Sequence, residues 1–349
     1  MRILYGVQGT GNGHLSRTRA LQPALQRPGI SIDFVFSGRR QEDFFDMEPF
    51  GDFRIFEGLT LFYEQGQMQL LKTVTHNKFT RFLRDVYHLD LSHYDLVISD
   101  FEPVTTWSAK LRGFPCIALS HQSAFEYAVP KASGYWASKL AMKLFSPSKI
   151  SIGFHYHHFN QPVLPPLISG TQKISIDNNK IVVYMGFEDL DDIVDFVSPF
   201  TDYQFQIFAK VDTPISKGHI KINPLSHSEF HKQLNSCVGV ISNAGFELSS
   251  EALQLGKKLL VKPLNGQYEQ ICNVVALEQL GCAHSMDKLD QKILEQWLQS
   301  PKPIAVNYPQ VAPPLADWIL DPNRCDLKQL VHQVWGTHEM PNIQNQPYQ

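Results

Sequence analysis

Short apolar segments of strand length alternate with helical patterns along both halves of this 349-residue chain. The first half contains RILYGV, SIDFVFSG, YDLVISD and FPCIALS, and the second contains KIVVYMGF, DYQFQIFAK, HIKINPL, CVGVISNAG and KKLLVKPL. A chain that alternates strands with helices builds a parallel sheet whose faces are covered by helices. The pattern therefore predicts an α/β fold with two doubly wound, Rossmann-like domains that face each other across a cleft.

A proline-rich stretch separates the two halves. Residues 154–170, FHYHHFNQPVLPPLISG, carry closely spaced prolines and end in glycine, as interdomain linkers do. The predicted organisation is an N-terminal domain over 1–160, a linker over 161–170, a C-terminal domain over 171–314, closing helices over 315–337 and a loose polar tail over 338–349. Doubly wound sheets bind ligands beyond the carboxyl ends of their strands, so the interdomain cleft is the predicted site.

Composition excludes several classes of function. The net charge of −3 gives no general attraction to nucleic acid, and we expect no nucleic-acid partner. The five cysteines are scattered without a CxxC pair, which favours reduced thiols and a cytoplasmic location. We find neither a signal-peptide pattern nor an apolar run of the roughly 18 residues that a membrane span needs.

The sharpest motif is ISNAGFELSSEALQLGKKLLVKPLNGQYEQICNVVAL, residues 241–277. It predicts a strand, a turn at Gly245, and a helix that begins near Leu248, with capping hydroxyls and exposed amides at Ser249 and Ser250. A helix N-terminus with small residues attracts anions, because its free N–H groups and its dipole point at the ligand. The motif therefore predicts a phosphate site. An ordinary strand, loop and helix is the alternative.

The order of residues in this motif resembles the nucleotide-sugar signature of two-domain, GT-B type glycosyltransferases. The shared features are the glycine turn, a glutamate in the helix, a proline after the next strand, and an acid–Gln pair followed by asparagine: Gly245, Glu251, Pro263, Glu269–Gln270 and Asn273. The plant secondary-product and glucuronosyl-type enzymes carry this signature, as does the bacterial cell-wall N-acetylglucosaminyltransferase. The resemblance implies that the C-terminal domain binds the nucleotide-sugar donor, expected to be UDP-linked.

By that resemblance, seven residues hold the donor. The pyrophosphate is assigned to Asn243, Gly245, Leu248 and Ser249, the ribose to Glu251, and the transferred sugar to Glu269 and Gln270. The tryptophan that supports the base in the plant enzymes is absent here, and backbone near Leu225 is the expected substitute. Enzymes of this type generally need no essential metal, because helix amides carry the leaving diphosphate. We therefore expect neither a metal nor a cofactor.

The glycine-rich segment VQGTGNGHLSR, residues 7–17, follows the first strand and has three interpretations. Its spacing is GxGxG rather than the GxGxxG of dinucleotide sites. However, Ser37, Arg39 and Arg40 after the second strand would suit a 2′-phosphate, so an NADP-dependent oxidoreductase stays open. A tight turn without further function is the second possibility. The third follows from the resemblance, in which the N-terminal domain binds the acceptor.

In that third interpretation, Gly11 and Gly13 bring backbone close to the substrates, and His14 faces the cleft. Inverting transfer needs a base that removes the proton of the attacking acceptor hydroxyl, a role suited to histidine. Asp100, at the carboxyl end of a strand, is the predicted partner that orients the imidazole, with Glu102 as the rival carboxylate. A helix N-cap is the structural alternative for Asp100.

Two further segments point to the acceptor. His121 and Gln122 resemble the polar pair of the cell-wall transferase and are predicted to line the acceptor pocket, although a satisfied loop histidine is the alternative. Segment 130–149 is rich in lysines and aromatic residues, as are helices that lie on anionic membranes. It favours a lipid-linked acceptor, contact with the inner face of the membrane and a role at the cell envelope. A helix that packs its apolar side on the domain and leaves its lysines in water is the alternative, and the pattern slightly favours it.

The sequence therefore predicts an inverting glycosyltransferase with His14 and Asp100 as the catalytic pair. Three alternatives stay open, namely a nucleotide-sugar epimerase or hydrolase of the same fold, the NADP enzyme, and a binding module without catalysis. A metal site is not expected at the histidines of FHYHH, which lack partnering cysteines or acids. The acidic run EDLDDIVD, residues 188–195, is interpreted as the first turn of a helix.

Overall fold

The computed structural model describes residues 1–60, 63–64, 67–68, 76–134, 136–169 and 175–336. Two parallel sheets with helices on their faces organise the chain. The N-terminal sheet has the order β3-β2-β1-β6-β7-β8, and all of its neighbouring strands are parallel. Its strands are β1 (Arg2–Gln8), β2 (Ser31–Ser37), β3 (Phe53–Phe56), β6 (Leu96–Asp100), β7 (Cys116–Ser120) and β8 (Ile150–Gly153), and β4 (Tyr63–Glu64) pairs separately with β5 (Gln67–Met68).

The C-terminal sheet has the order β11-β12-β10-β9-β13-β14-β15, parallel except for β11 against β12. Its strands are β9 (Lys180–Tyr184), β10 (Gln204–Phe208), β11 (Ile215–Lys217), β12 (Ile220–Asn223), β13 (Gly239–Asn243), β14 (Lys258–Lys262) and β15 (His284–Ser285). The strands predicted from the nine quoted apolar segments are all present. They form because β-branched and aromatic residues pack well on a sheet that is buried on both faces.

Eleven α-helices of the described residues surround the sheets. They are α1 (Asn12–Leu25), α2 (Phe79–His88), α3 (Pro103–Arg112), α4 (Trp136–Phe145), α5 (Leu190–Val197), α6 (His227–Ser236), α7 (Phe246–Gln254), α8 (Tyr268–Gln279), α9 (Gln291–Gln299), α10 (Ala312–Leu320) and α11 (Leu327–Trp335). Helix α1 continues through Pro23 to its end two residues later. The acidic run 188–195 contains the cap and first turn of α5, as expected.

The two halves share one apolar core. Side chains of both sheets, among them Tyr5 and Val240, belong to the same buried cluster. Part of the predicted linker is packed rather than loose, because Leu164 is fully buried and pairs with Phe154 as an isolated bridge. The closing helices begin at Ala312 rather than at 315, and the predicted tail over 338–349 lies outside the described residues.

Candidate active site

The order of the N-terminal sheet brings the first loop next to the end of β6. Strands β1 and β6 are parallel neighbours, and Val7 is opposite Asp100. The chain leaves β1, turns through the glycine-rich loop and starts α1 at Asn12, which places His14 in the first turn. As a result, His14 Nδ1 lies 2.7 Å from Asp100 Oδ1. The predicted pair is therefore in hydrogen-bond contact, although its catalytic role stays a prediction.

Arg17, one helical turn after His14, holds Asp100 from the other side. Its Nε lies 2.6 Å from Asp100 Oδ2 and its Nη2 lies 2.8 Å from Oδ1, a bidentate contact in a fully buried setting. Burial alone would raise the pKa of Asp100, but the charge of Arg17 and the hydrogen bonds from Arg17 and His14 outweigh it and lower that pKa below its usual value. Asp100 is thus an ionised acceptor, so His14 Nδ1–H donates to it and the lone pair of Nε2 is free.

The opposite nitrogen of His14 is available for chemistry. Within the part of the chain that the structure describes, no protein group forms a hydrogen bond with Nε2, and 14% of the His14 side chain is exposed. Phe101 stacks on the imidazole with a centroid distance of 6.1 Å and is itself stacked on Phe145 at 4.9 Å. Phe101 has a φ of 54°, a left-handed conformation that is rare for a bulky residue and that occurs at functional sites.

The cation of Arg17 also reaches across to the C-terminal half. Its Nη1 lies 2.5 Å from Oε1 of Glu247, in the first turn of α7. Burial would lower the pKa of Arg17, but the facing charges of Asp100 and Glu247 raise it, so the guanidinium stays charged. One buried cation therefore joins two carboxylates, one from each half of the chain. Neither Arg17 nor Glu247 is among the predicted site residues, and the only local hint is that Arg17 shares a helix face with His14.

The glycine-rich loop makes room for Glu247. A Cβ atom added at Gly13 would lie 2.4 Å from Glu247 Oε2, whereas a Cβ at Gly11 would meet no atom within 4 Å. Gly11 is the N-cap residue of α1 and has an extended backbone. Gly13 therefore leaves room for the Glu247 carboxylate where it contacts Arg17, while Gly11 is not under the same steric constraint.

Replacing Gly13 with alanine should destabilise the folded protein by about 1–3 kcal/mol, because the added methyl group displaces the Glu247 carboxylate from Arg17. The matched control is Gly11→Ala, which adds the same methyl group to open space and should cost less than about 1 kcal/mol. Urea denaturation of both variants measures the difference. Equal losses would show that Gly13 is not sterically constrained by Glu247.

The predicted start of the phosphate-binding helix is wrong. Helix α7 begins at Phe246 with Gly245 as N-cap, and the amide of Ser249 already donates to the carbonyl of Gly245. Ser249 and Ser250 are fully buried, and the Ser250 hydroxyl donates to the Phe246 carbonyl. In α7, the amides of the first three residues, Phe246 to Leu248, have no acceptor within the helix. Of the two amides predicted to bind the pyrophosphate, that of Leu248 is therefore free to bind a ligand and that of Ser249 is not.

Glu251 lies on the second turn of α7 at a small cavity between the two halves. Leu225, Tyr184 and His231 line the same cavity of about 90 Å³. Burial, reinforced by the charge of Glu247, raises the pKa of Glu251 to about 8. The cavity combines a carboxyl group with aromatic walls, the kinds of group that contact a ribose and a base, although its volume is below the roughly 300 Å³ at which small-molecule sites begin. Leu225, the expected support of the base, is among its lining residues.

The remaining predicted donor residues sit at the carboxyl ends of β13 and β14. Asn243 Nδ2 lies 3.1 Å from Glu188 Oε1, and within the described ranges its buried Oδ1 has no hydrogen-bond partner. Glu269 Oε2 accepts a hydrogen bond of 2.7 Å from Gln122, which links the predicted sugar contact to the predicted acceptor side. Gln270 differs from Glu269, because its side chain contacts its own segment of the chain. Its Oε1 accepts a hydrogen bond from the amide of Leu264 and so stabilises the loop between β14 and α8.

His121 joins the two halves rather than lining a pocket. Its Nδ1 lies 2.6 Å from the Phe154 carbonyl, its Nε2 lies 2.5 Å from Asn273 Oδ1, and its ring stacks on Phe246 at 3.9 Å. Burial lowers its pKa to about 4. The prediction that His121 lines the acceptor pocket is therefore wrong. Both ring nitrogens are used by protein groups in a closed interface.

Glu102, the alternative to Asp100 as the partner of His14, has a structural role. Glu102 is the N-cap of α3 and accepts hydrogen bonds from the amides of Val104 and Thr105. It also accepts from the hydroxyl of Ser37 at 2.7 Å. Glu102 rather than Asp100 is thus the cap. The Ser37 hydroxyl, which the NADP hypothesis needs for a 2′-phosphate, donates to this buried carboxylate instead.

The described residues contain neither a metal-binding cluster nor a helix that could span a membrane. No group of three or more histidine, cysteine, aspartate or glutamate side chains in these ranges is arranged to hold a metal ion. The expectation that catalysis needs no metal stays a prediction. None of the helices in the same ranges is both long and apolar enough to cross a bilayer.

Comparisons with known proteins agree with this architecture. The family model "Glycosyl transferase family 1" matches residues 1–301. No significant match was found among curated protein sequences. Similar solved structures include the glycosyltransferase of kitacinnamycin, with a TM-score of 0.55 and 14% identity, covering 97% of this chain and 96% of that one. SnogD from Streptomyces nogalater has a TM-score of 0.53 and 14% identity, with 96% of each chain covered.

A third similar structure carries a nucleotide. SsfS6 from Streptomyces sp. SF2575, complexed with thymidine diphosphate, has a TM-score of 0.54 and 12% identity and covers 96% of this chain and 94% of that one. These neighbours share the GT-B fold, and the family model spans most of the chain. The resemblance to the cell-wall enzyme stays a prediction. The chain belongs to glycosyl transferase family 1 and is a glycosyltransferase of the GT-B fold.

Proposed function

We propose that this enzyme transfers a sugar from a UDP-linked donor to an acceptor hydroxyl with inversion, with His14 as the base. The observation that carries the proposal is the His14–Asp100 contact of 2.7 Å, with Asp100 clamped by Arg17. An ionised Asp100 can only accept a hydrogen bond, which supports the tautomer in which Nδ1 carries the proton and Nε2 accepts one. A base at the junction of the two halves lies where donor and acceptor must meet.

The proposed step is a single displacement. The acceptor oxygen attacks the anomeric carbon while its proton passes to His14 Nε2, and the bond between that carbon and the diphosphate oxygen breaks. The free amides at the start of α7, those of Phe246 to Leu248, stabilise the departing diphosphate. Arg17 neutralises Glu247 at the same helix end, which reduces the repulsion between that carboxylate and the diphosphate. In this mechanism a metal ion is not required.

The donor is proposed to bind in the cavity beside Glu251. A carboxyl group there suits the ribose hydroxyls. The thymidine diphosphate in SsfS6 supports a pyrimidine nucleoside diphosphate as the ligand class. UDP is preferred over its deoxy counterpart because a ribose gives Glu251 two adjacent hydroxyls.

The proposal also covers the kind of acceptor and the location of the enzyme in the cell. Segment 130–149 contains α4, and its lysines at 139, 143 and 149 are exposed, which supports contact with an anionic membrane. We accordingly propose a lipid-linked acceptor, a cytoplasmic location at the inner face of the membrane, and a role at the cell envelope. A nucleotide-sugar hydrolase of the same fold would instead direct His14 at water. It would release UDP at full rate without any acceptor.

Calorimetric titration of UDP and thymidine diphosphate tests the donor site. Wild type should bind UDP more tightly, and Glu251→Ala should lose about 1–3 kcal/mol of binding free energy, because the ribose hydroxyls lose their hydrogen-bond partner. The matched control is Glu295→Ala, which removes an exposed carboxylate from α9 and should bind UDP as wild type does. Absence of UDP binding to wild type would refute the donor assignment. Unchanged binding to Glu251→Ala would refute the ribose contact.

A further inference from the structure

Arg39 lies two residues beyond the carboxyl end of β2, at the junction of the two halves. Its Nη1 lies 3.0 Å from Asn12 Oδ1, and Asn12 Nδ2 donates at 2.8 Å to the hydroxyl of Tyr184, which belongs to the C-terminal half. The sequence marks Arg39 as an anion-binding residue only under the NADP hypothesis, for which the Ser37 hydroxyl is already engaged. Its contacts place it instead beside the proposed donor site.

The Arg39 guanidinium is buried and only partly satisfied by protein groups. Its Nη1 donates to Asn12, whereas Nε and Nη2 are buried and have no hydrogen-bond partner within the described ranges. Phe44 covers one face of the group, and the Arg39 Cζ lies 4.2 Å from the ring centroid. Burial lowers the pKa of Arg39 to about 10, so the group is still charged at pH 7. A buried charge normally has a counter-ion, and a ligand can supply one.

The positive charge on this side of the junction is incompletely compensated. Asp43, whose charge acts on Arg39, forms its own ion pair with Lys210 at 2.6 Å. Arg19 lines the proposed donor cavity and donates to two backbone carbonyls rather than to a carboxylate. Two guanidinium groups therefore lack an ion pair with any carboxylate of the described residues. This setting favours an anionic ligand.

The contacts of Arg39 lead to the helix end that is proposed to carry the diphosphate. Asn12 and Tyr184 line the proposed donor cavity together with Leu248, whose amide is one of the three free amides of α7. Gly13, the residue after Asn12, packs against the first turn of the same helix. Arg39 thus approaches from the N-terminal half the region that the α7 amides reach from the C-terminal half.

The two unpaired nitrogens of Arg39 form one edge of its planar guanidinium. Parallel N–H groups on one edge bind two oxygens of a phosphate at once, and arginine is used for phosphate recognition because of this geometry. The remaining nitrogen, Nη1, orients the group through its bond to Asn12. The side chain is therefore held in place while its bidentate edge stays without a protein partner in the described residues.

We propose that Arg39 is a donor-binding residue that holds the diphosphate through Nε and Nη2, opposite the amides at the start of α7. The inference rests on the proposed function, because only that function places a nucleoside diphosphate in the cavity. It adds a substrate contact from the N-terminal half to a diphosphate site that the sequence assigns to the C-terminal half alone. The bound diphosphate is then the counter-ion of the buried guanidinium.

Calorimetric titration of UDP, inorganic pyrophosphate and uridine tests this contact. Arg39→Met should weaken the binding of UDP and of pyrophosphate at least about 10-fold and leave uridine binding within about 2-fold of wild type. Arg39→Lys should fall between wild type and Arg39→Met, because an ammonium group keeps the charge without the bidentate edge. The matched control is Arg40→Met, which removes the adjacent side chain, 72% exposed, and should leave all three affinities within about 2-fold of wild type.

Urea denaturation without ligand separates a binding role of Arg39 from a structural one. Arg39→Met should unfold at the same urea concentration as wild type or at a higher one, because it removes a buried charge that has no ion-pair partner in the described residues. Lower stability of Arg39→Met, together with equal weakening of UDP and uridine binding, would overturn the proposal.

The three ligands also separate this inference from the proposed function. UDP binding that is insensitive to Arg39→Met would overturn the inference and leave the proposed function standing. Pyrophosphate binding that depends on Arg39, in a protein that does not bind UDP, would refute the UDP donor and support the diphosphate contact. Binding of neither UDP nor pyrophosphate to wild type would overturn both.

Discussion

Replacing Arg17 with methionine is expected to lower the free energy of unfolding by about 3–5 kcal/mol. Asp100 is fully buried and Glu247 is largely so, and Arg17 is the cation that contacts both. Methionine fills much of the same volume but leaves two carboxylates without their partner. A buried charge that loses its counter-ion costs more than the net gain from the intact pair. Urea denaturation at pH 7, followed by circular dichroism, measures the loss.

Arg27 provides the matched control. It also pairs with a carboxylate of the other half of the chain, Asp317, at 2.6 Å, but both side chains are substantially exposed. Arg27→Met should therefore cost no more than about 1 kcal/mol. Arg17→Lys should fall between the two, because an ammonium group keeps the charge but not the bidentate geometry. Similar losses for Arg17→Met and Arg27→Met would refute the idea that Arg17 is the buried electrostatic link between the halves.

The fold could be predicted from the sequence because its signals are local. Apolar runs such as 94–100 and 114–120 specify buried strands within a few residues, and parallel pairing then brings their carboxyl ends to one edge. The contact between His14 and Asp100 lies at that edge, but it also requires β1 and β6 to be neighbours, which the structure shows and no local pattern specifies. The order of strands thus determined a large part of the candidate site.

Residues whose role depends on the approach of the two halves could not be predicted in the same way. Arg17 and Glu247 are 230 positions apart, and no local pattern pairs them. The helix start at Phe246 was misplaced for a related reason. Serines suggest caps, but packing of Phe246 on His121 across the cleft starts the helix earlier and buries Ser249. Tertiary packing outweighed local capping preference there.

His14→Asn is expected to reduce kcat by about 10²–10⁴-fold while leaving the affinity for UDP unchanged. Asparagine retains a polar group near Asp100 but cannot accept the hydroxyl proton at the position of Nε2. The value of kcat is obtained from the rate of UDP release from the donor in the presence of the best acceptor found in a screen. Calorimetry measures UDP binding. His93→Asn is the matched control, because the His93 side chain is exposed and precedes the amino end of β6, the opposite end of that strand from Asp100. A loss of less than 10-fold in His14→Asn would place the base elsewhere, and a parallel loss of UDP binding would indicate a binding role instead.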